Sequence, residues 1–355
     1  MELSLFFLPT WRQGYGISLN RYYEELSESV RLADQLGWSR VMTTEHHFHY
    51  YGGAVPNPAV ILAGWARETK NVRLAPAVSL MQLRDPLKVA EDYALVDQLS
   101  GGRCDMGVAK GFVPHEFDAF QIDQAEVPER IAEGLDICQR FWAGEPFSHD
   151  GKFFSFDKLE PWPMTVNGSL PIWNAASNSR ESFVNAAVQG YRLMMNHYPM
   201  SAESLTEKFG WFCDAWEKTG RKTADRKAMV AFMTHIADTE EQAMEEARAA
   251  LQEHAAAFGK VMRGLQWDTD YEGDESVLLN MCEDDDWRDV FRRRTLICSP
   301  EQAAERVQRY LDLGFTEISF VPRYAGLTHE QTMTSIRRIN DEILPMLGQS
   351  ARAAE

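Results

Sequence analysis

Short apolar runs alternate along the chain with longer segments whose apolar residues recur at helical spacing. Segment 21–36 is an example, because four of its side chains fall on one stripe of a helix: Tyr22, Leu26, Val30 and Ala33. The helical pattern predicts helices at 21–36, 59–70, 86–99, 126–143, 179–190, 201–218, 239–258, 300–313 and 328–346, with a hairpin at 147–160. The apolar runs predict strands at 3–8, 40–44, 72–80, 104–109, 170–176, 192–196, 229–237 and 315–322.

Eight strands separated by helices predict an α/β fold in which parallel βα units close into a (β/α)8 TIM barrel. A doubly wound sheet is the alternative. That fold usually has fewer strands, and no GxGxxG motif follows any of the predicted ones. We therefore expect a single domain over residues 1–355, with insertions at 112–170 after the fourth strand and at 260–295 between the seventh and the eighth.

The second insertion has no strand pattern and carries an acidic run at 283–286 and a basic run at 292–294. A long irregular segment in a compact domain is often a lid over an active site. The other interpretation is a solvated excursion on the surface. The sequence pattern leaves both interpretations open.

Composition and charge narrow the classes of function. The chain has 355 residues, of which 45% are hydrophobic, and no apolar run is long enough to span a membrane. Its formal net charge of −17 disfavours binding to nucleic acid or to anionic membranes. The five cysteines are widely spaced and form no CxxC pair, so a disulfide framework is not expected and a cytoplasmic location is favoured.

A cluster of acid and base side chains directly follows the second predicted strand: Glu45, His46, His47 and His49. Ligands of a (β/α)8 barrel bind at the carboxyl ends of the strands, so the cluster lies at the expected place. If the strand continued, Glu45, His47 and His49 would share one face. Metal binding, proton transfer and simple burial are the three interpretations.

The metal interpretation rests on the HxH pair of His47 and His49, which metal-dependent hydrolase barrels of the amidohydrolase type also carry. Those barrels add histidines after the fifth and sixth strands and an aspartate after the eighth. Here the fifth strand ends in two alanines and the eighth in Val321, Pro322 and Arg323. His197 follows the sixth strand, but the other ligand positions are empty, so no metal is predicted.

The proton-transfer interpretation requires fewer residues than the metal interpretation does. A histidine titrates near neutral pH, and a neighbouring carboxylate can fix its tautomer. His46 and His47 are the candidate bases and Glu45 the candidate carboxylate. The alternative is that a histidine here is only buried and bonded to the backbone.

The stretch WNAASNSRES, at 173–182, predicts an anion-binding turn. Ser177, Asn178 and Ser179 offer hydroxyls, an amide and free backbone N–H groups where a helix begins. Asn178 is placed as the N-cap, with Glu181 completing a capping box. An ordinary capped helix is the alternative.

Two basic residues could neutralise an anion at this turn. Lys110 ends the fourth strand, and Arg130 opens the helix predicted at 126–143 within the first insertion. A salt bridge with a neighbouring acid would explain either residue equally well.

Five stretches together resemble the bacterial luciferase-like flavin-dependent monooxygenase family, and they occur in the family's order. They are EHHF at 45–48, the Asn57–Pro58 pair, and the segments 85–103, 106–123 and 170–195. The resemblance implies a luciferase-like (β/α)8 barrel that binds reduced FMN. It implies reaction with molecular oxygen to oxygenate a small organic substrate through a flavin hydroperoxide. It further implies a separate NAD(P)H:flavin reductase that supplies the reduced FMN, and a homodimer.

The resemblance also implies roles for individual residues. Lys110 and Arg130 would bind the flavin phosphate together with the turn at 177–179. Ala77 and Val78 would pass beside the isoalloxazine ring, often with a cis peptide between them.

On the catalytic side, the resemblance makes His46 the catalytic base, with His47 beside it and Glu45 orienting it. Asn57 and His197 are the candidates for contact with substrate.

Some positions depart from the luciferases. Lys110 replaces an arginine, and Ala109 occupies the position of a reactive luciferase cysteine, so light emission is not expected. The segment 49–55 also differs, which argues against a long-chain aldehyde. An aldehyde or ketone, an aromatic or polyketide-like metabolite of secondary metabolism, and a sulfur compound stay open as substrates.

Three other functions stay open. They are a deazaflavin- or flavin-dependent reductase or dehydrogenase of the same superfamily, a non-catalytic flavin-binding protein, and the metal-dependent hydrolase.

Overall fold

Parallel strands supply the frame of the molecule. The computed structural model describes residues 1–198, 200–263 and 287–347. Its strands are β1 (Glu2–Phe7), β2 (Arg40–Thr43), β3 (Arg73–Pro76), β4 (Met106–Val108), β5 (Phe147–Asp150), β6 (Ser155–Leu159), β7 (Ile172–Ala175), β8 (Arg192–Asn196), β9 (Ala228–Ile236), β10 (Leu296–Cys298) and β11 (Glu317–Val321). Each of the eight predicted strands is present, and β5 and β6 form the predicted hairpin.

Eight of these strands form the main sheet. They pair in the order β3-β2-β1-β11-β9-β8-β7-β4, and every pair is parallel. The two outer members, β3 and β4, are joined by single bridges at Leu74–Cys104 and Ser79–Val108. These bridges bring the two ends of the sheet together into a nearly closed barrel. The predicted TIM barrel is therefore confirmed, and all the carboxyl ends of its strands open at one mouth.

Helices alternate with the strands along the chain. They are α1 (Leu19–Gln35), α2 (Pro58–Glu68), α3 (Pro86–Ser100), α4 (Pro114–Phe120), α5 (Val127–Ala143), α6 (Arg180–Gln189), α7 (Ala202–Lys218), α8 (Glu240–Arg263), α9 (Trp287–Arg294), α10 (Pro300–Asp312) and α11 (His329–Arg338). The apolar stripe predicted in α1 is buried, and Ser18 caps that helix by accepting from the N–H of Arg21. No helix in the described part of the chain is both long enough and apolar enough to cross a bilayer.

The barrel interior is filled in two layers. The upper layer is an apolar cluster formed by Met42, Ala75, Trp173, Met194 and Met229. Beneath it the buried Arg40 forms ion pairs with Glu317 and with Asp105, the second at 3.0 Å. The guanidinium also lies 4.6 Å from the Trp173 ring. The interior below the mouth is thus a packed plug, and ligands are confined to the mouth.

Both predicted insertions contain elements that the sequence pattern did not indicate. Helix α4 lies in the first insertion and helix α9 in the second, and strand β10, which follows the second insertion, pairs with β9. Helix α8 continues to Arg263, beyond its predicted end at 258. The proposed lid at 260–295 falls largely on residues 264–286, which lie outside the described residues.

Candidate active site

The Glu45–His49 cluster lies in the barrel mouth, but its side chains are not arranged as strand alternation predicts. Strand β2 ends at Thr43, and Phe48 has a φ of 65°, so the chain turns within the cluster. Glu45, His46 and His47 are all at least nine-tenths buried. His46 and His49 consequently approach one common partner, while His47 approaches another.

The common partner of His46 and His49 is Glu116, in the first turn of α4. One of its carboxylate oxygens accepts from the backbone N–H of His47 at 2.7 Å. The same oxygen lies 3.1 Å from His46 Nδ1 and 3.2 Å from His49 Nε2. Burial alone would raise the pKa of Glu116, but the hydrogen bonds from His46 and His49 outweigh it and lower the pKa to about 2. Glu116 is therefore an ionised carboxylate at neutral pH.

The ionised carboxylate fixes the tautomer of His46. A carboxylate without a proton can only accept, so the hydrogen of neutral His46 sits on Nδ1. Its Nε2 then carries a free lone pair, and within the described part of the chain that atom makes no hydrogen bond. Gly52 packs against the ring, since a Cβ at that position would lie 2.6 Å from His46 Cδ2. The geometry presents His46 Nε2 as a base whose conjugate acid Glu116 would stabilise.

Glu45 contacts His47 and not His46, which corrects the prediction that Glu45 orients His46. One Glu45 oxygen lies 3.2 Å from His47 Nε2. The other accepts from Ser79 Oγ and from the backbone N–H of Leu80, both at 3.1 Å. Glu45 thereby ties the segment after β2 to the segment after β3. The residue that orients His46 is Glu116, which the sequence pattern did not identify.

Ala77 and Val78 form one wall of the mouth. The peptide bond between them is cis, as the resemblance implied. Both side chains are half-buried and pack against the apolar cluster inside the barrel. They offer a small, apolar surface beside the histidine cluster.

The predicted anion-binding turn begins α6, with a shift of one residue. Ser179, not Asn178, is the N-cap, because its side chain accepts from the N–H of Ser182. The predicted capping box with Glu181 is therefore wrong. Asn178 instead accepts from Lys208 Nζ of α7 at 3.2 Å, which brings a third cation to the turn. Ser177 and Ser179 are exposed, so their hydroxyls are accessible to an anion bound at this turn.

The two predicted cations differ in their surroundings. β4 pairs with β7 so that Val108 faces Asn174, which places Lys110 at the strand end adjacent to the turn. Lys110 is exposed and forms no ion pair with the described residues. Arg130 is paired with Glu126 at 3.0 Å and lies 4.2 Å from the Phe153 ring. In this arrangement only Lys110 of the two is free to meet an anion.

The two predicted substrate contacts do not project into the mouth. Asn57 caps α2, and its Oδ1 accepts from the N–H of Ala59 at 3.1 Å. His197 is fully buried, hydrogen-bonded to the Tyr310 hydroxyl and stacked on Phe232. Burial lowers the pKa of His197 to about 3. His197 therefore packs between the barrel and α10, and its assignment to the substrate is corrected.

A set of possible metal ligands exists, but it is not the predicted HxH pair. Ligand atoms of His46, His49 and Glu116 all lie within 4.8 Å of one another. The short nitrogen–oxygen distances already satisfy these atoms as hydrogen bonds to an ionised carboxylate. The arrangement is explained without a metal.

Comparison with known proteins gives a consistent result. A model of the family described as luciferase-like monooxygenase matches residues 1–317. The oxygenase component of a flavin-dependent trigonelline monooxygenase from Acinetobacter baylyi is 26% identical over 339 residues, which cover 92% of this chain and 91% of that protein. The crystal structure of a monooxygenase from Streptomyces bottropensis matches with a TM-score of 0.85 at 26% identity, covering 97% of this chain and 99% of that one.

A third similar protein was solved with a cofactor. It is the oxygenating constituent of 3,6-diketocamphane monooxygenase from Pseudomonas putida, a type II Baeyer–Villiger monooxygenase in complex with FMN. The TM-score is 0.77 at 20% identity, covering 97% of this chain and 98% of that one. At this identity the similarity concerns the fold alone, and it agrees with the barrel described above.

Proposed function

The chain belongs to the luciferase-like monooxygenase family, a family of flavin-dependent oxygenating enzymes, and from this premise we propose that it is the oxygenase component of a two-component system. It would use reduced FMN and molecular oxygen to oxygenate a small organic substrate. The observation that carries the proposal is His46, held at the barrel mouth by ionised Glu116 with Nε2 free. The relative from Acinetobacter baylyi is itself named an oxygenase component, which supports a separate NAD(P)H:flavin reductase as partner.

The residues of the mouth fit FMN. The half-buried Ala77–Val78 segment offers an apolar wall to a flat ring. Ser177, Ser179 and the N–H groups at the start of α6 suit a phosphate. Lys208 Nζ donates to Asn178 in the same turn, and Lys110 follows β4, the strand that pairs with β7. In a chain of net charge −17, a local cluster of cations is what an anionic cofactor requires.

The cofactor, when bound, supplies the oxygen chemistry, and the protein supplies position and proton control. His46 Nε2 would take up a proton from the reacting centre and return it. Glu116 would stabilise the charged ring while that proton is held. His47 and Glu45 keep the segment after β2 in place through Ser79 and Leu80. The aromatic side chains around His46 would keep water away from the reaction.

Oxygen isotope labelling tests this function directly. The purified chain would receive reduced FMN from an added flavin reductase, together with ¹⁸O₂ and a panel of ketones and hydroxyaromatic compounds. We expect one labelled oxygen atom in the product and hydrogen peroxide when no substrate is present. Binding of the deazaflavin cofactor in place of FMN, with no oxygen consumed, would contradict the proposal in favour of a reductase or dehydrogenase.

We also propose that residues 1–355 act as one catalytic domain and that two copies form a homodimer. Support for the dimer comes from α2 and α3, the helices that flank β2 and β3. Val60 on α2 is 70% exposed and Leu95 on α3 is 50% exposed. Large apolar side chains left on neighbouring helices are suited to an interface.

A further inference from the structure

Aromatic side chains from five segments converge above His46. We call this group the aromatic chamber; its members are Tyr51, Phe112, Tyr198, His254, Phe258 and Tyr324. They follow β2, β4, β8 and β11, or lie on α8, so the chamber stands at the carboxyl ends of the strands.

The chamber is continuous with the catalytic cluster. The Tyr51 and Phe112 rings each lie 5.7 Å from the His46 ring. Tyr51 in turn lies 5.3 Å from His254 and 5.6 Å from Phe258. These are contact distances, so a flat molecule would enter by parting the rings, and one of its edges would then lie beside His46.

His254 is the polar group at the centre of the chamber. It is 2% exposed, and its ring lies 5.1 Å from Tyr198 and 6.1 Å from Tyr324. Within the described residues neither of its ring nitrogens has a hydrogen-bond partner. Burial lowers the pKa of His254 to about 3, so the ring is neutral and offers one donor and one acceptor. A buried group with two unmet hydrogen bonds is costly to fold, and a ligand that meets them would relieve this cost.

Tyr324 supplies a second unmet polar group. Its side chain is fully buried, and its hydroxyl has no partner among the described residues. Burial lowers the pKa of His254 and raises the pKa of Tyr324, so both polar groups are uncharged at neutral pH. No member of the chamber carries a charge opposite to that of an ionic ligand, so a charged ligand group placed among these six side chains would lose its hydration at a cost in free energy.

We propose that the aromatic chamber binds the substrate and that His254 determines its specificity, by selecting an uncharged, flat ring compound that carries a hydroxyl or carbonyl group. This inference rests on the proposed monooxygenase function. Neutral His254 can both donate to and accept from a hydroxyl, and Tyr324 can donate to a carbonyl. The surrounding rings stack on the flat face of the compound.

Four bicyclic probes of similar size separate the classes of ligand: 2-naphthol, naphthalene, 2-naphthoate and N-methylquinolinium. Binding would be measured by equilibrium dialysis against the full chain loaded with oxidised FMN. We expect 2-naphthol to bind about tenfold more tightly than naphthalene, the size expected when buried polar groups find partners. The anion should bind more weakly than either.

The variant His254→Phe keeps an aromatic side chain but removes both ring nitrogens. It should abolish the preference for 2-naphthol over naphthalene. His197→Phe is the matched control, because His197 is equally buried but packs outside the barrel against Tyr310. It should keep the full preference. Tyr324→Phe removes one hydroxyl alone and should reduce the preference by a few-fold, which keeps the test available if His254→Phe does not fold.

Three results would overturn the inference: no preference in the unmodified chain, an unchanged preference in His254→Phe, or tightest binding of either charged probe. The last would assign the chamber to ionic substrates, for which the tyrosine faces would act by cation–π attraction. None of these measurements needs reduced FMN. Failure of the monooxygenase function would instead appear as absent oxygen uptake, so the two failures are distinguishable.

Discussion

At the residue scale, the site depends on a carboxylate that accepts three hydrogen bonds at one oxygen. Glu116 binds the backbone of His47 and the rings of His46 and His49, at distances between 2.7 and 3.2 Å. Removing this side chain would leave two imidazoles and a backbone amide without their acceptor in a buried place. Glu116 therefore serves both the stability of the mouth and the orientation of the base.

The first prediction concerns Glu116 and pH. Because its pKa is lowered from 4.5 to about 2 in the folded state, its stabilising effect is complete above about pH 4.5. That effect is lost as the pH falls toward 2. Each tenfold change in proton affinity corresponds to about 1.4 kcal/mol, so Glu116→Gln should cost up to about 3 kcal/mol at pH 7. The difference between variant and parent should shrink as the pH falls from 4.5 toward 3.

Urea unfolding at pH 7, 4 and 3 would measure this difference. Glu24→Gln is the control, because the Glu24 side chain is 55% exposed and its ion pair with Arg21 lies on the surface. It should change the free energy of unfolding by less than about 1 kcal/mol at any pH. A constant difference for Glu116→Gln across this range would show that its charge is not the stabilising feature.

The second prediction concerns His46 itself. His46→Ala removes the free Nε2 but leaves the anion-binding turn intact. Substrate oxidation should fall by about 100-fold or more, the usual contribution of a general base. FMN affinity should change little, and both quantities can be measured on one preparation by single-turnover kinetics and fluorescence titration. His329→Ala is the control, because that histidine pairs with Glu28 between α11 and α1, outside the barrel. Equal losses of rate and affinity in His46→Ala would argue against the base role.

At the element scale, the turn after β2 positions His46 through its backbone. Gly52 has a φ of +70°, and a Cβ there would lie 2.6 Å from His46 Cδ2 and 2.8 Å from Leu8 Cδ1. Gly52→Ala should therefore destabilise the fold by about 1–3 kcal/mol and displace the His46 ring. Gly210→Ala is the matched control, since a Cβ at Gly210, in the middle of α7, would meet nothing within 4 Å.

Thermal unfolding and oxidation rates of these two variants test the turn. Gly210→Ala should raise stability by about 0.5–1 kcal/mol and leave the rate unchanged. If Gly52→Ala kept both its stability and its rate, the close approach of Gly52 to His46 would have no functional role.

The anion-binding turn at the start of α6, residues 177–179, gives the fourth prediction. Lys110→Ala and Lys208→Ala should each weaken FMN binding by about fivefold to tenfold at low salt and flatten its salt dependence. Arg130→Ala should do less, because its charge is already paired with Glu126. Titrations between low and high ionic strength would measure these effects. Unchanged affinity in both lysine variants would place the phosphate elsewhere.

At the scale of the whole molecule, the barrel could be predicted because its strands are apolar runs bounded by turn residues. The short elements, strand β10 and helix α4, could not be predicted in this way. Strand β10 has three residues and forms only because β9 extends beyond the barrel to pair with it. Helix α4 left a weak signal, a proline at its first turn followed by Glu116.

The errors within the site have local causes. Glu116 lies 70 residues from His46, so only the closed barrel brings the two together. The position of His197 directly after β8 predicts that its side chain lies in the mouth. The alternation along β8 could have corrected this, since Met194 faces the interior and Asn196, two residues on, stays exposed at the mouth. Asn178 and Ser179 are equally good caps by residue type, and the spacing to Glu181 favoured the wrong one.

The homodimer gives the last prediction. Val60 and Leu95 project from α2 and α3, and burial of such side chains is worth about 1.5–3 kcal/mol each. Light scattering should give twice the chain mass of 40.5 kDa. The double variant Val60→Glu and Leu95→Glu should give the single mass while keeping its affinity for FMN, because both positions lie outside the mouth. Val188→Glu is the control, since Val188 is 51% exposed on α6 and should leave the dimer intact. A monomeric parent chain at micromolar concentration, or a double variant that stays dimeric, would exclude the α2–α3 face as the interface.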